Sequence, residues 1–292
     1  MKEIVILSGK GGTGKTSVVA ALAHLAAATH TLIMADADVD AANLELVLAP
    51  RRSYTTPFSG GEVAVIAQET CIACGRCAEV CRFAAILSGD NAYRVDEIGC
   101  EGCAACYYQC PADAIRMESR QDGEWYRSET RFGPLFHAHL FAGRENSGKL
   151  VTVVKQAARQ AADRTQADLL LVDGPPGIGC PVIAATSGAD LALLVTEPSV
   201  SGIHDLERIL ATTMHFRVPA LVCINKADLN PRRTAEIEAY CAAQNVPVVG
   251  HIPFDSEVTA AMVRGQPVTA RDNTPASVEL RRIWQRLQTN HL

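Results

Sequence analysis

Residues 9–16 of the chain read Gly9-Lys10-Gly11-Gly12-Thr13-Gly14-Lys15-Thr16. An apolar run, Ile4 to Leu7, precedes this stretch, and a helix-forming segment, Ser17 to Ala28, follows it. Glycines let backbone N–H groups curl around phosphate oxygens, and the N-terminus of the following helix adds partial positive charge. The order of strand, glycine-rich loop and helix therefore predicts a phosphate-binding loop, or P-loop. Its predicted ligands are Gly11, Gly12, Thr13, Gly14 and Ser17 for the phosphates, Lys15 for the β- and γ-phosphates, and Thr16 for Mg²⁺.

Short aliphatic runs alternate with longer helical stretches on both sides of the middle of the chain. Continuous apolar strands of this kind are typical of a parallel sheet that is buried on both faces. The chain is therefore predicted to be an α/β protein with a doubly wound, mostly parallel sheet. The predicted strands are Ile4–Leu7, Leu32–Ala35, Leu169–Val172, Leu191–Val195 and Leu221–Ile224.

The alternation stops at Ser59-Gly60-Gly61 and resumes near Lys149, which indicates an insertion. We predict a nucleotide-binding domain whose first part is 1–60 and whose second part is 149–292. An inserted domain would occupy 61–120, and 121–148 would connect it back. The segment that begins at Ser147-Gly148-Lys149 could start a helix or a strand, or bind an anion.

Eight of the eleven cysteines lie in the predicted insertion, in two runs with identical spacing and a constant offset of 29 positions. The runs are Cys71, Cys74, Cys77, Cys81 and Cys100, Cys103, Cys106, Cys110. Over 62–119 they resemble two-cluster bacterial ferredoxins, which implies an α+β module with two 4Fe-4S clusters. In that family the fourth cysteine of each run binds the other cluster. Cluster one would take Cys71, Cys74, Cys77 and Cys110; cluster two would take Cys100, Cys103, Cys106 and Cys81.

Two features qualify this resemblance. Arg82 follows the fourth cysteine of the first run, where ferredoxins usually have proline, and charge near the sulfurs tunes redox behaviour. Zinc is the competing metal for these cysteine ligands, although two four-cysteine runs exceed what one tetrahedral site needs.

The second lysine of the P-loop, Lys10, makes residues 10–16 resemble the deviant Walker A motif of the MinD/ParA family. That family includes the nitrogenase iron protein and the Mrp-type cluster carriers. The resemblance implies that Lys10 contacts the nucleotide of a partner subunit in an ATP-dependent dimer, either a homodimer or a heterodimer with a paralogue. It also identifies Asp36 to Asp38 with switch I, where Asp38 would orient the attacking water and Asp36 would lie near the metal.

Three later segments extend the resemblance, which covers 1–58 and 147–290. Leu169 to Gly177 resembles the Walker B strand and switch II, in which Asp173 would hold Mg²⁺ through water and Gly177 would sense the γ-phosphate. Asn225 and Lys226 resemble the base-recognition segment, which also resembles the guanine motif of GTPases, so GTP stays open beside ATP. Pro253 and Asp255 belong to a segment that resembles the family's C-terminal base-side loop.

Other residues have weaker functional meaning. Cys180 lies seven positions after Asp173, where the nitrogenase iron protein has a cysteine that binds a bridging cluster; a small structural cysteine is the alternative. His137 and His139 would face the same side of an extended segment, as metal ligands or as ordinary core or surface residues. The apolar stripe Leu280, Ile283, Trp284, Leu287 indicates a helix packed on the sheet, or an amphipathic membrane tail.

The composition limits which binding partners we expect. A net charge of −5 and a pI near 5.9 give no reason to expect nucleic acid, and membrane binding is not expected. The first apolar run is too short for a signal peptide, so we expect a cytoplasmic protein.

The motifs together predict an ATPase with Mg²⁺ and two 4Fe-4S clusters that supports metallocluster assembly or electron delivery to a metalloprotein or redox client. The alternatives are a ParA-like spatial organiser with structural or redox-sensing clusters, and an electron-transfer ferredoxin that its nucleotide domain merely docks.

Overall fold

The computed structural model describes residues 1–89 and 92–292, and the chain divides into two compact units. The first, here called the P-loop unit, comprises Met1–Thr55, Trp125–His139 and Ser147–Leu292. The second, the cysteine unit, comprises Thr56–Glu124 and Leu140–Asn146.

Strands and helices alternate along much of the described chain. The strands are β1 Lys2–Ser8, β2 Leu32–Asp36, β3 Arg51–Phe58, β4 Gly61–Ile66, β5 Ile86–Ser88, β6 Tyr93–Val95, β7 Ile115–Arg120, β8 Gly123–Thr130, β9 Gly133–Leu140, β10 Leu169–Pro176, β11 Leu191–Thr196, β12 Ala220–Asn225 and β13 Val248–Ile252. The helices are α1 Lys15–Ala26, α2 Leu44–Leu48, α3 Arg76–Val80, α4 Ala105–Tyr108, α5 Ser147–Thr165, α6 Cys180–Thr186, α7 Val200–His215, α8 Pro231–Ala243, α9 Ser256–Val263 and α10 Pro275–His291, with a 3₁₀ turn at Val268–Ala270.

The main sheet has the strand order β13-β12-β11-β1-β10-β2-β9-β8-β3. Neighbouring strands from β13 to β9 run parallel, which confirms the predicted mostly parallel α/β sheet. The P-loop strand β1 lies between β10 and β11. In a parallel sheet the carboxyl ends of the strands share one edge, and ligands bind in the crevice outside that edge. The loops after β1, β2, β10, β11 and β12 therefore meet at one place.

The apolar runs of the sequence form the core of the P-loop unit. Ile4 to Leu7 and Leu169 to Val172 are fully buried, as expected for central parallel strands. The stripe on α10 is buried too, with Leu280, Ile283, Trp284 and Leu287 each at most 5% exposed. This confirms the prediction of a terminal helix packed on the sheet. The segment at Ser147, which could have started a helix or a strand, begins helix α5, with Leu150, Val151 and Val154 on its buried face.

The cysteine unit repeats its backbone as well as its sequence. The helices α3 and α4 begin 29 positions apart, at Arg76 and Ala105. Left-handed backbone conformations recur at the same offset, in the pairs Ala73 and Gly102, Gly75 and Ala104, and Ala84 and Asp113. Strand β4 pairs antiparallel with β7, and β5 with β6. The internal duplication is thus a duplication of local structure.

Residues 121–148, expected as a connection, contain β8 and β9 of the main sheet and the start of α5. None of the helices in the described part of the chain is long and apolar enough to cross a membrane.

Candidate functional site

Three carboxylates surround the P-loop lysine. Asp36 and Asp173 are directly paired residues on the adjacent strands β2 and β10, so the register of the sheet brings their side chains together. Lys15 Nζ lies 2.6 Å from Asp173 Oδ1 and 3.9 Å from Asp38 Oδ2. Lys15, Asp36 and Asp173 are all buried. The sequence-predicted lysine and carboxylates therefore form one cluster at the carboxyl edge of the sheet.

Burial and charge oppose each other in this cluster. Burial by itself lowers the pKa of Lys15, but the neighbouring carboxylates, Asp173 first, outweigh it and raise that pKa above its ordinary value. The pKa of Asp36 is raised well above its usual range by burial and then by Asp173. Backbone N–H groups of Asp38 and Leu44 donate to Asp36 at 3.1 Å and favour its charged form. Lys15 is thus the main counter-charge of a buried acidic site.

Two buried oxygens are available for a ligand. Within the described residues, Thr13 Oγ1 and Asp173 Oδ2 are buried and have no hydrogen-bond partner. Buried polar atoms normally have one, and oxygen donors are the ligands that Mg²⁺ and its bound waters prefer. The donor set therefore fits a phosphate with its magnesium ion.

The loop itself is braced by the segment after β12. Asn225 Nδ2 donates to the carbonyl of Thr13 at 2.7 Å, and Lys226 Nζ donates to that of Gly12 at 3.1 Å. Gly14 has a φ of 91°, and a Cβ built there would overlap the Asn225 amide. Glycine is needed at this position both for the left-handed backbone and for the close approach.

Glu197, which no sequence motif predicted, links Lys10 of the P-loop to Lys226 after β12. Glu197 follows β11 directly, and its carboxylate lies 2.8 Å from both Lys10 Nζ and Lys226 Nζ. Lys10 also donates to Ser199 Oγ at 3.0 Å and to Ser201 Oγ at 2.8 Å. Burial raises the pKa of Glu197, but the two lysines outweigh burial and lower it below the ordinary value. A polar residue at the end of an apolar strand was the available signal, as at Asp36, Asp173 and Asn225.

The remaining predicted nucleotide ligands have defined places. Gly177 has a φ of 90° and donates its N–H to the carbonyl of Ser8, the residue before the P-loop, at 3.0 Å. Ser17 Oγ lies 3.1 Å from the sulfur of Met262 on α9. Asp255, directly after Pro253-Phe254, accepts N–H bonds from Glu257 at 2.9 Å and from Ala276 at 3.1 Å. Its two carboxylate oxygens thus cap α9 and hold the start of α10.

The eight cysteines of the two runs line two separate cavities in the cysteine unit. One cavity has Cys71, Cys74, Cys77 and Cys110 in its wall, and the other has Cys81, Cys100, Cys103 and Cys106. Their volumes are about 320 and 330 Å³, including the opening to solvent. The structure therefore brings together the first three cysteines of each run and the fourth of the other.

The thiols are held in partly apolar surroundings. Burial raises the pKa of Cys77 and of Cys106, although backbone N–H groups lower it in part. The backbone N–H of Ala114 donates to the sulfur of Cys110 at 3.3 Å. Because these buried thiols hold their protons at neutral pH, binding of a metal to them releases protons.

Five other residues, three cysteines and two histidines, lie apart from these groups. Cys180 is exposed at the first position of α6, beside Gly148, where a Cβ would lie 3.2 Å from that of Cys180. Cys223 and Cys241 are fully buried. His137 is buried and bonded to Ser128 Oγ at 2.8 Å, whereas His139 is exposed, so the two histidines do not form a pair.

A glycine-rich loop closed by a buried lysine, at the carboxyl edge of a parallel sheet, defines a P-loop nucleotide-binding protein. Residues 4–268 match the family described as the CobQ/CobB/MinD/ParA nucleotide binding domain. An uncharacterized protein of Methanocaldococcus jannaschii is 33% identical over 288 residues, which are 98% of this chain and 96% of that protein. The chain belongs to the CobQ/CobB/MinD/ParA nucleotide-binding-domain family.

Two further similarities are more limited. A cytosolic Fe-S cluster assembly factor, a Nubp1 homolog of Drosophila grimshawi, is 30% identical over 124 residues, 35% of this chain and 40% of that protein. The septum site-determining protein MinD of Pyrococcus horikoshii, solved in complex with Mg-ADP, has a TM-score of 0.60 at 17% identity. That comparison covers 98% of this chain and 95% of the MinD chain. At this identity the likeness to MinD concerns the fold.

Proposed function

We propose that this protein is a Mg²⁺-dependent ATPase that holds two 4Fe-4S clusters and uses its nucleotide state to control delivery of electrons or of a cluster to a metalloprotein client. One observation carries the proposal. The chain that folds a P-loop with its lysine and carboxylates also gathers eight cysteines into two four-cysteine cavities, in the crossed combination of two-cluster ferredoxins.

The P-loop unit supplies the hydrolytic part. In the proposal Lys15 leaves Asp173 for the β- and γ-phosphates, and Thr16 and Asp173 hold Mg²⁺, directly and through water. Asp38, half-buried and 3.9 Å from Lys15, orients the attacking water while Asp36 stays near the metal. Gly177, tied to the residue before the loop, senses the γ-phosphate. The Mg-ADP bound to the MinD fold relative supports the choice of ligand.

Adenine is favoured over guanine by the state of the base-side segment. In the guanine motif that residues 225–228 resemble, Asp228 would read the base; here its Oδ1 accepts the backbone N–H of Phe254 at 2.6 Å. Asn225 and Lys226 brace the loop through Thr13 and Gly12, which leaves the Asn225 side chain at the base end of the site. Pro253 and Asp255 shape the same end, Asp255 by fixing α9 and α10.

Lys10 supports the proposal of a nucleotide-dependent dimer. Its ammonium is held by Glu197, Ser199 and Ser201 in the single chain. These partners are side chains on the surface, with Glu197 only partly buried, so they can release the lysine to a phosphate at small cost. We propose that Lys10 exchanges Glu197 for the nucleotide of a partner, either a second copy or a paralogue.

The cysteine unit is proposed to hold the clusters, one on Cys71, Cys74, Cys77 and Cys110, the other on Cys100, Cys103, Cys106 and Cys81. Zinc bound by four cysteines is the competing interpretation. What supports clusters is the crossed combination, in which the fourth cysteine of each run lines the cavity of the other run, as in two-cluster ferredoxins. The clusters would supply one-electron storage.

A spatial organiser of the ParA or MinD type is the second candidate, and the fold relatives include a septum site-determining protein. An organiser that binds membrane through a C-terminal amphipathic helix needs a free apolar face. Here that face of α10 is packed in the core, with Ile283 and Leu287 fully buried. This observation favours the client-directed function over the membrane-bound one.

Anaerobic purification with iron and sulfide counting tests the cluster proposal. We expect about eight iron atoms per chain, because each cubane holds four. Stoichiometric zinc with little iron would contradict it. In a parallel arm, the Lys15→Ala variant should keep its iron but lose ATP hydrolysis and ATP-dependent client reduction. Unchanged client reduction in that variant would leave the protein a simple ferredoxin.

A further inference from the structure

We propose that Arg120 and Asp122, outside both cysteine runs, form a positioning pair that holds the loop of Cys100 and thereby cluster two. The inference rests on the proposed function, since it concerns one of the two clusters assigned there. It makes a selective prediction, because cluster one has no equivalent of this pair among the described residues.

Asp122 is a junction of three parts of the cysteine unit. Its side chain is fully buried and its Oδ2 accepts the backbone N–H groups of Gly60 at 2.9 Å and Gly61 at 2.8 Å. Its Oδ1 accepts Arg120 Nε at 2.7 Å. Its own backbone N–H donates to Phe58, and its carbonyl accepts from Phe141. A buried carboxylate with this many donors is fixed in place.

Arg120 links Asp122 to the second cysteine run. Its Nη1 donates to the carbonyl of Glu97 at 2.8 Å and to that of Cys100, the first ligand of the run, at 3.0 Å. Residues 96–104 lie between β6 and α4 and have no strand ladder to bond their carbonyls. Cys100 is buried, so its carbonyl needs a donor, and the Arg120 guanidinium provides it. The carbonyl of the exposed Glu97 also accepts from Arg144 Nη1 at 3.1 Å. Asp122 neutralises the charge that would otherwise be costly to bury.

The first cysteine run is fastened by a different device. Ala67, just before it, donates its backbone N–H to Ala114 at 2.8 Å, and Cys71 donates to Ala67 at 3.1 Å. These are main-chain bonds that a side-chain substitution leaves in place. Removing the Arg120 guanidinium should therefore loosen Cys100 and spare Cys71.

The test compares anaerobically purified wild-type protein with Arg120→Gln, Arg120→Lys and Arg116→Gln. Arg116 is a matched control, an exposed arginine on the same strand β7 that pairs with Glu118. Iron and sulfide per chain and the EPR spectrum of the reduced protein are measured, together with nucleotide binding as a check on the fold. Two reduced clusters in one small unit couple magnetically, so a chain with one cluster gives a simpler signal.

We expect Arg120→Gln to lose about half of its iron and to show the uncoupled signal of one cluster, as Cys81→Ser should. Arg116→Gln should match the wild type. Arg120→Lys should lie between them, because an ammonium cannot span Asp122 and two carbonyls as a guanidinium does. Full iron and a coupled spectrum in Arg120→Gln would overturn the inference, as would equal loss of both clusters. A wild-type protein without iron would overturn the proposed function itself.

Discussion

Acidification from pH 8 to pH 5 should destabilise the P-loop unit through His137, and replacing that histidine should remove the effect. His137 is buried on β9, with Nε2 2.8 Å from Ser128 Oγ and Nδ1 3.3 Å from Glu45 Oε2. Burial lowers the pKa of His137 to about 4; Glu45 raises it in part and Arg52 lowers it further. The ring also packs against Tyr126, with ring centroids 5.0 Å apart.

The sign and size follow from proton linkage. Below the ordinary pKa of 6.5 the unfolded chain protonates this histidine while the folded protein, with its pKa near 4, does not. The unfolded state then binds more protons, so stability is full above pH 6.5 and is lost as the pH falls towards 4. With these two pKa values, the loss at pH 5 is about 2 kcal/mol.

Urea denaturation followed by tryptophan fluorescence measures this loss. Both tryptophans, Trp125 and Trp284, belong to the P-loop unit, so the signal reports on that unit. The His137→Gln variant keeps a hydrogen-bonding group without a titrating one. We expect it to be about 1 kcal/mol less stable than wild type at pH 8, from the altered hydrogen bonds. At pH 5 it should be the more stable of the two.

The control is His204→Gln, because His204 is exposed on α7 and lies far along the chain from the buried cluster. That variant should follow the wild-type pH dependence. If His137→Gln loses the same stability between pH 8 and pH 5 as the wild type, the buried histidine is not the source of the acid sensitivity, and the reasoning fails.

Three further predictions concern the nucleotide site and the C-terminal helix. Lys15→Ala should abolish Mg-ATP binding in calorimetry and cost about 3–5 kcal/mol in urea unfolding, because it leaves buried carboxylates without their counter-charge; retained affinity would contradict the assigned role. Gly14→Ala should weaken nucleotide binding and cost at least about 1–2 kcal/mol, since a left-handed backbone is strained by a Cβ that also displaces Asn225. Trp284→Ala should cost about 3–5 kcal/mol in the same unfolding assay, since its side chain is core. If it instead left stability unchanged and reduced vesicle binding, α10 would be a membrane tail.

A short series of contacts connects His137 to Asp36 of the nucleotide site. Asp36 accepts the N–H of Leu44, the first residue of α2, and Glu45, the next residue, contacts His137. The short helix α2 therefore joins a carboxylate of the P-loop unit to β9. Arg52 on β3 belongs to the same group, at 3.7 Å from Glu45 and over the ring of Tyr126. A change at Asp36 would reach these strands through few contacts.

Much of the candidate site could be predicted because it depends on local order in the sequence. A P-loop works through the backbone of consecutive residues between a strand and a helix, so residues 9–16 define it without distant information. Asp36, Asp173 and Asn225 could be singled out because each closes an apolar run of the sequence. The two cysteine runs could be recognised by their spacing alone.

Contacts between residues far apart in sequence could not be predicted in this way. Glu197 meets Lys10 only because β11 and β1 are neighbours in the sheet. The hydrogen bonds of Asp255 to the backbone N–H groups of Glu257 and Ala276, at the starts of α9 and α10, depend on folding in the same way. His137 and His139 share a strand face in principle, yet what covers each of them differs, so one is buried and the other exposed.

The sequence by itself determined the class of fold, the phosphate loop and the membership of the two cysteine runs, because periodicity and spacing are properties of neighbouring residues. Only the tertiary structure decided which side chains hold these parts in place. Lys15 is held by Asp173, the strand partner of Asp36. The P-loop is braced by Asn225 at the end of β12, and the carbonyl of Cys100 is bound by Arg120, 20 positions later. Such contacts depend on sheet order and burial, which long-range packing sets and no local pattern records.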